Sequence, residues 1–244
     1  MSQIILITGA SQGIGLAVSE AFADAGWHVV MAARNAENIA AHSTRLGALG
    51  VPTDVADPAS VDALYAKITE TYGRLDAVFN NAGMGTPPID PGDLSFEHWR
   101  QVCSVNLDGA FHIASHAFRM MKSQDPKGGR IINNGSISAH TPRPGSVAYT
   151  TTKHAITGLT KCIALDGRPY NIRASQIDIG NAESPMTARM KEGVPQANTT
   201  MAIEPVMDVR LVAQTVLSMA SLPLEATTLF QTIMAADMPF VGRG

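Results

Sequence analysis

The sequence predicts an α/β fold of the doubly wound kind: a parallel sheet of about seven strands with helices on both faces, residues 1–244 forming a single domain. Three observations lead there. Short runs dominated by apolar residues, such as IILIT (4–8) and HVVMAA (28–33), alternate along the chain with longer amphipathic stretches. Strands apolar on both faces, separated by helices, belong to a parallel sheet covered on both sides. The first such run also passes directly into a glycine-rich turn, TGASQGIG (8–15), that opens a helix. No repeat, low-complexity tract or linker-like composition interrupts the alternation.

In chain order, IILIT (4–8) is the first strand and GIGLAVSEAFADAG the first helix, stopped by Gly26. HVVMAA (28–33) is the second strand, and LGALGVPTDV holds a short third strand ending near Asp54. Pro58 opens a helix through ASVDALYAKITETYG, a position where its missing N–H costs nothing, and LDAVFNN is the strand behind it. One long helix is expected around FEHWRQVCSVNLDGAFHIASHAFRMMK, then a strand in GRIINNGS. A helix bearing Tyr149 and Lys153 runs to about Asp166, IRASQID is another strand, DVRLVAQTVLSMASL a late helix and TLFQTIMAA the final strand. The least regular segment, 180–207, contains Pro185, Pro195 and Pro205 together with Met186, Met190, Met201 and Met207. A long irregular loop in a compact domain is usually functional or mobile, so this one is read as a substrate loop or lid. Its methionines are either an adaptable cover for an apolar substrate or core fillers.

Composition narrows the classes. Hydrophobic residues make up 45% of the 244 and charged residues 16%, which suits a chain with a large core rather than a disordered one. Net charge is −3 and no Lys/Arg cluster stands out, so nothing offers the basic stripe that nucleic acid requires. No apolar stretch approaches the roughly 18 residues that would span a bilayer. Cys103 and Cys162 show neither metal-ligand spacing nor a disulfide framework, and no metal site is expected. MSQIILITGA lacks a basic n-region and its apolar run is too short for a signal segment, so a cytoplasmic location is expected.

The glycines of TGASQGIG lie where a dinucleotide loop would lie, between a first strand and a first helix. Gly9 permits the tight turn, while Gly13 and Gly15 let backbone and helix N-terminus approach a pyrophosphate. The spacing Gly-x-x-x-Gly-x-Gly differs from Gly-x-Gly-x-x-Gly, and an ordinary strand-to-helix turn is the plain alternative. The end of the second strand bears on which nicotinamide cofactor is used. A carboxylate there holds the ribose 2′-hydroxyl of NAD, whereas an arginine accommodates the 2′-phosphate of NADP. Here the strand ends MAARN, with Arg34 and no carboxylate, although Glu37 follows one helical turn later. The reading is NADP(H) over NAD(H), the alternative being a solvated loop arginine.

Four elements in order resemble the classical short-chain dehydrogenase/reductase family over essentially the whole chain: TGASQGIG, NNAG (80–83), SVNLDG with Asn106, and GSIS followed by AYTTTK. The resemblance implies a Rossmann-like fold and an oxidoreductase interconverting a carbonyl and a secondary alcohol of a small molecule. It implies a cofactor loop at Gly9, Ser11, Gly13, Ile14 and Gly15, Asp54 near the adenine, and Asn81, Ala82 and Gly83 flanking the cofactor ribose. It also implies a catalytic tetrad of Asn106, Ser136, Tyr149 and Lys153. Ser136 is preferred to Ser138 because the family's serine usually precedes its tyrosine by about thirteen residues, the spacing of 136 and 149. In the family-like mechanism the tyrosine gives a proton to the carbonyl oxygen while the reduced cofactor gives hydride to its carbon. Ser136 orients that oxygen, Lys153 also holds the nicotinamide ribose, and Asn106 helps keep a relay water. Residues 149 and 153 are i and i+4, so they share one helix face. Free phenols titrate at about 10, and a nearby ammonium favours the phenolate, which is what general acid–base work near neutral pH wants. No other tyrosine of the chain has a lysine four residues on.

Two departures from the family pattern matter. Many relatives carry Pro-Gly after the sixth strand; this chain has DIGNAESPM (178–186), with Ile179 at the proline position and Ser184 where a threonine often meets the cofactor carboxamide. Isoleucine neither fixes φ nor removes a donor, so the loop is expected to bend differently, with the Ile179 backbone still available to the cofactor. The end, IMAADMPFVGRG, also differs from the usual Gly-Gly segment. Family tails often pack across subunits, and a homo-oligomer, tetramer or dimer, is expected. His140 and Arg143, between the serine and the tyrosine, are either exposed loop residues or substrate contacts. A dinucleotide-binding protein without redox chemistry, or a lyase-like relative, are the competing classes. The intact tetrad argues against the first and the intact glycine loop against the second. The substrate cannot be read from these residues, because one fold serves many.

Overall fold

Successive side chains of a strand point to opposite sides, and the first strand shows the division: Ile5 and Ile7 enter one core, Ile4 and Leu6 another. The computed structural model describes residues 2–241. Its strands are β1 (Ile4–Thr8), β2 (His28–Ala33), β3 (Leu49–Pro52), β4 (Ala77–Asn80), β5 (Gly129–Asn134), β6 (Ile172–Ile179), β7 (Val194–Pro195), β8 (Met201–Ala202) and β9 (Phe230–Ile233). Seven of them form one sheet in the order β3-β2-β1-β4-β5-β6-β9, every pair parallel. The remaining two, β7 and β8, make a small antiparallel hairpin. The helices are α1 (Gly13–Asp24), α2 (Ala36–Leu46), α3 (Pro58–Tyr72), α4 (Phe96–Cys103), α5 (Gly109–Ser123), α6 (Val147–Asp166) and α7 (Val209–Ser221).

The doubly wound α/β architecture is as expected. On the Ile5/Ile7 face, α1, α2 and α7 contribute Val18, Phe22, Ile39, Val212 and Val216. On the Ile4/Leu6 face, α3, α5 and α6 contribute Leu64, Ile68, Ile113, Met121 and Ile163. Each fully buried aliphatic of this size contributes about 1.5–3 kcal/mol, so these two layers are the main source of stability.

Three local features differ from the expectation. Helix α2, between β2 and β3, was not foreseen. The Asn35 side chain caps it by accepting from the Asn38 N–H (2.9 Å) and Gly47 ends it at φ 62°, but only Ile39 and Ser43 are buried, too thin a stripe to register as a period. The expected long helix around 96–122 is broken by a π turn at Ser104–Asp108, which lies between α4 and α5 and carries Asn106. Such π insertions are frequent at functional sites. The irregular 180–207 segment contains a 3-10 turn, Pro185–Lys191, and the β7–β8 hairpin. Of the divergent C-terminal tail, residues 242–244 lie outside the described residues.

Arg130, on β5, is the largest of the fully buried side chains described. Its guanidinium donates to Thr227 Oγ1 (3.1 Å) and to the carbonyls of Leu222 (3.2 Å) and Ala226 (2.9 Å). It thereby pins the α7–β9 connection to the sheet. Burial first, and the nearby Arg173 second, push its pKa down. Arg130→Met would leave those carbonyls without their donor. Its expected cost is about 2–4 kcal/mol of unfolding free energy, read by urea denaturation; a loss under about 0.5 kcal/mol would count the contacts as incidental.

Candidate active site

A parallel sheet of this order has its switch point between β1 and β4, where the loops leaving the two strands diverge and ligands bind outside the carboxyl ends. A cleft of about 840 Å³ opens there. Every residue expected at the site lines it except Asn106, which is buried beneath.

The glycine loop forms one wall. Gly9 has φ 67°, and a Cβ on Gly15 would stand 2.3 Å from the Gly9 carbonyl oxygen, so the turn closes only without side chains there. Ser11, Gly13, Ile14 and Gly15 face the cleft with it. Gln12 stands at the N-cap of α1 without a capping side-chain bond, and the first turn has no acidic residue. The N–H groups of that turn are therefore open to an anion. At the β2 end the cleft is lined by Ala33, Arg34, Asn35 and Asn38. Arg34 is exposed, and no carboxylate is among the lining residues at that strand end. Asp54, after β3, also lines the cleft while its Oδ1 accepts from the Ala56 N–H (3.0 Å). Asn134 lines the cleft too, and its buried Oδ1 has no partner among the described residues. An uncapped helix N-terminus, a glycine cradle and a waiting acceptor fit a dinucleotide.

Hydrogen bonds run from this wall to the opposite one. Thr8 Oγ1 accepts the N–H groups of Asn81 and Ala82 (both 2.9 Å), and Asn81 Nδ2 donates to the Thr8 carbonyl (2.8 Å). Asn134 Nδ2 donates to Asn81 Oδ1 (2.8 Å), and Lys153 Nζ donates to the Asn134 carbonyl (2.7 Å). Lys153 is 5% exposed, so that carbonyl is a main support of a nearly desolvated ammonium. Its Nζ lies 5.6 Å from the Tyr149 ring centroid. Ser136 lies on the same cleft, its Oγ accepting from the Ser138 N–H (3.1 Å). Ser138 thus serves Ser136 through its backbone. Asn106 braces the loop after Gly83: Oδ1 accepts from the Met84 N–H (2.8 Å) and Nδ2 donates to the Met84 carbonyl (3.0 Å), with a longer bond from Nδ2 to Thr152 Oγ1 (3.4 Å) on α6.

At the end of β6, pairing with β9 runs through Ile179, and the Gly180 N–H donates to the Ile233 carbonyl (2.8 Å). Ile179 and Ser184 both reach the cleft, Ser184 tied to Thr187 (3.1 Å).

Asp178 was missed by sequence reasoning. Its carboxylate is 1% exposed and accepts from the Ser136 N–H (3.0 Å) and Gln176 Nε2 (2.8 Å) at Oδ1, while His140 Nε2 pairs with Oδ2 (2.8 Å). Gly135 makes room for it, since a Cβ there would lie 2.0 Å from Oδ1. The available signal was an acidic residue inside an otherwise buried strand, which demands partners. His140 and Arg143, each an exposed loop residue or a substrate contact on the sequence alone, both have side-chain partners here. His140 is half-exposed but bound to Asp178, and Arg143 is 15% exposed, lines the cleft and pairs with the buried Glu204.

The family model for short chain dehydrogenases matches residues 3–195. A 3beta-hydroxysteroid dehydrogenase of Mediterraneibacter gnavus is 35% identical over 192 residues, 77% of this chain and 68% of that one. A 2,3-dihydro-2,3-dihydroxybenzoate dehydrogenase of Bacillus subtilis is 35% identical over 189 residues, 75% of this chain and 71% of that one. The crystal structure of a 3-ketoacyl-(acyl-carrier-protein) reductase from Brucella melitensis complexed with NADH superposes with a TM-score of 0.85 at 24% identity, over 95% of this chain and 96% of that one. The chain belongs to the short-chain dehydrogenase/reductase family. It is an oxidoreductase of the hydroxyl/carbonyl kind that uses a nicotinamide dinucleotide. Among the described residues no helix is long and apolar enough to cross a membrane.

Asp178→Ala would strand the Ser136 N–H and the Gln176 amide in a buried site. We expect a loss of about 2–4 kcal/mol in unfolding free energy. Asn, which retains an acceptor oxygen and can donate to a neutral His140, should recover more than half of it. Equal losses for Ala and Asn in thermal and urea unfolding would mean that the charge, not the acceptor geometry, is what the site needs.

Proposed function

We propose that the protein is an NADP(H)-dependent oxidoreductase that interconverts a carbonyl and a secondary alcohol, acting as a reductase in the cell, with Tyr149 as general acid and base. The observation that carries this reading is that Tyr149, Ser136 and Lys153 open on the same cleft as the uncapped, glycine-cradled N-terminus of α1.

Gly9, Ser11, Gly13, Ile14 and Gly15 would hold the cofactor pyrophosphate, Asp54 the adenine end, and Asn81, Ala82 and Gly83 the ribose. Ile179 and Ser184 would meet the carboxamide. Arg34 would hold a 2′-phosphate, helped by Asn35 and Asn38 beside it; the lack of a lining carboxylate at the β2 end supports NADP(H) over NAD(H). The reduced nicotinamide supplies the hydride when bound. The chain's own part is to handle the proton. Ser136 Oγ takes its hydrogen bond from Ser138, which leaves the Ser136 hydrogen free to donate to a carbonyl oxygen. Tyr149 gives that oxygen its proton as the alcohol forms. Lys153, fixed on the Asn134 carbonyl, lends its charge to the phenolate left behind and reaches the nicotinamide ribose. Asn106, rigid through its two bonds to Met84, keeps a relay water to replace the proton. Segment 180–207 is the lid of a single domain. Phe96 and Phe111, exposed on α4 and α5, support a homo-oligomer.

Two measurements test the reading. NADPH and NADH are titrated into wild type and Arg34→Ala by fluorescence; NADPH binding should weaken at least about 10-fold in the variant, a loss near 1.4 kcal/mol, with NADH little changed. Tighter NADH binding and an indifferent variant would transfer the preference to NAD. Tyr149→Phe should cut turnover of any accepted carbonyl by about 100-fold or more while leaving NADPH binding intact. Undiminished turnover would remove Tyr149 from the chemistry.

A further inference from the structure

The half of the cleft beyond Tyr149 is walled by the loop after β4 and by segment 180–207. Met84, Met186, Met190, Val194, Pro195 and Met201 line it. Met186 reaches across to Gly85: a Cβ on that glycine would lie 3.4 Å from Met186 Cγ. Met186 and Met201 remain 46% and 65% exposed, apolar surface turned outward where a ligand could cover it.

Among the described lining residues of this half, the one formal charge is Arg143. Its guanidinium is already engaged from behind. Nη2 pairs with Glu204 Oε2 (2.5 Å) and donates to Asn181 Oδ1 (3.0 Å), while Nη1 points at Met190 Sδ (2.9 Å). Glu204 is 1% exposed and is further held by Asn181 Nδ2 (2.9 Å) and Gln196 Nε2 (3.1 Å). The carboxylate therefore cannot swing to water, and its own environment prefers to keep the arginine.

From this geometry we infer that the binding half of the cleft takes neutral, largely apolar carbonyl compounds and alcohols, and that Glu204 is the specificity-determining residue that turns anionic ones away. The inference rests on the oxidoreductase reading above. A substrate carboxylate approaching Arg143 would have to share it with Glu204, placing two negative charges together in a desolvated site. Drawing Arg143 away instead would take from the buried Glu204 carboxylate the guanidinium held against it at 2.5 Å. Both alternatives are expensive, and repulsion of this kind is how a site rejects an otherwise well-shaped ligand. A neutral ligand meets methionine and proline surface and disturbs neither group.

The test is a binding measurement that needs no turnover. The probes are two matched ketones, 2-acetonaphthone and 6-acetyl-2-naphthoate, which differ by one carboxylate. Their affinities are measured by ligand-observed NMR on the free protein and with NADP+ added. Wild type should bind the neutral ketone at least about 10-fold more tightly. Glu204→Gln keeps the size and removes the carboxylate that faces Arg143, and should tighten the carboxylate ketone by about 10-fold while moving the neutral ketone less than about 2-fold. The double variant Arg143→Met/Glu204→Gln, folded by thermal unfolding, should lose that gain. A wild type that binds the carboxylate as well as the neutral ketone, or binds neither, overturns the inference. So does an unchanged ratio in Glu204→Gln, or a gain that survives in the double variant. The cofactor titrations and Tyr149→Phe read the oxidoreductase assignment independently, so the two can fail separately.

Discussion

One chain of hydrogen bonds, Thr8 to Asn81 to Asn134 to Lys153, holds the working edge of this molecule together. It crosses the sheet where β1, β4 and β5 end, exactly the edge at which the connecting loops would otherwise be free to drift. It begins one residue before the glycine turn and ends on the helix that carries Tyr149. The wall suited to a phosphate and the wall bearing the tyrosine and lysine are therefore parts of one rigid frame. The lysine's position is set by a backbone carbonyl of β5, so it depends on the sheet rather than on a mobile partner.

Below that chain runs a second one. Asn80 Nδ2 donates to Asn133 Oδ1 (3.1 Å), Asn133 Nδ2 to Thr160 Oγ1 (2.9 Å), Thr160 Oγ1 to Gln176 Oε1 (3.2 Å), and Gln176 Nε2 to Asp178. All five side chains are buried. Polar groups at such depth are costly unless paired, and here each is met by the next. The network joins β4, β5, β6 and α6 and ends directly behind Ser136. Apolar packing supplies the bulk of the stability; these links decide which one arrangement of the strand ends is adopted.

The fold was largely legible because its signals are strong ones: strands apolar on both faces and a glycine turn at the first strand–helix junction. Helix α2 escaped because it is solvated around most of its girth, so its caps, Asn35 and Gly47, were the better evidence. The π turn at Asn106 leaves no periodic trace over five residues. Of the residues expected on the cleft surface or beneath it, all but Arg34 carry motif signatures; Arg34 was read instead from the strand end. What remained hidden were relations between side chains distant in sequence: the carbonyl beneath Lys153, the carboxylate behind Ser136, and the pairing of Arg143 with Glu204. Spacing along a chain reports helix faces and turns, and does not report which buried acid will face which loop.

The close approach of the Asp178 carboxylate to the Gly135 Cα has a historical side. With 2.0 Å available for a Cβ, no side chain can enter at 135 while the aspartate stands. Descent can therefore proceed in one order only. Position 178 must shorten first, surrendering its grip on His140 and on the backbone of Ser136, before position 135 is free to vary. The constraint runs one way: a lineage can lose the aspartate and keep the glycine, whereas a side chain at 135 is expected only where the aspartate has gone.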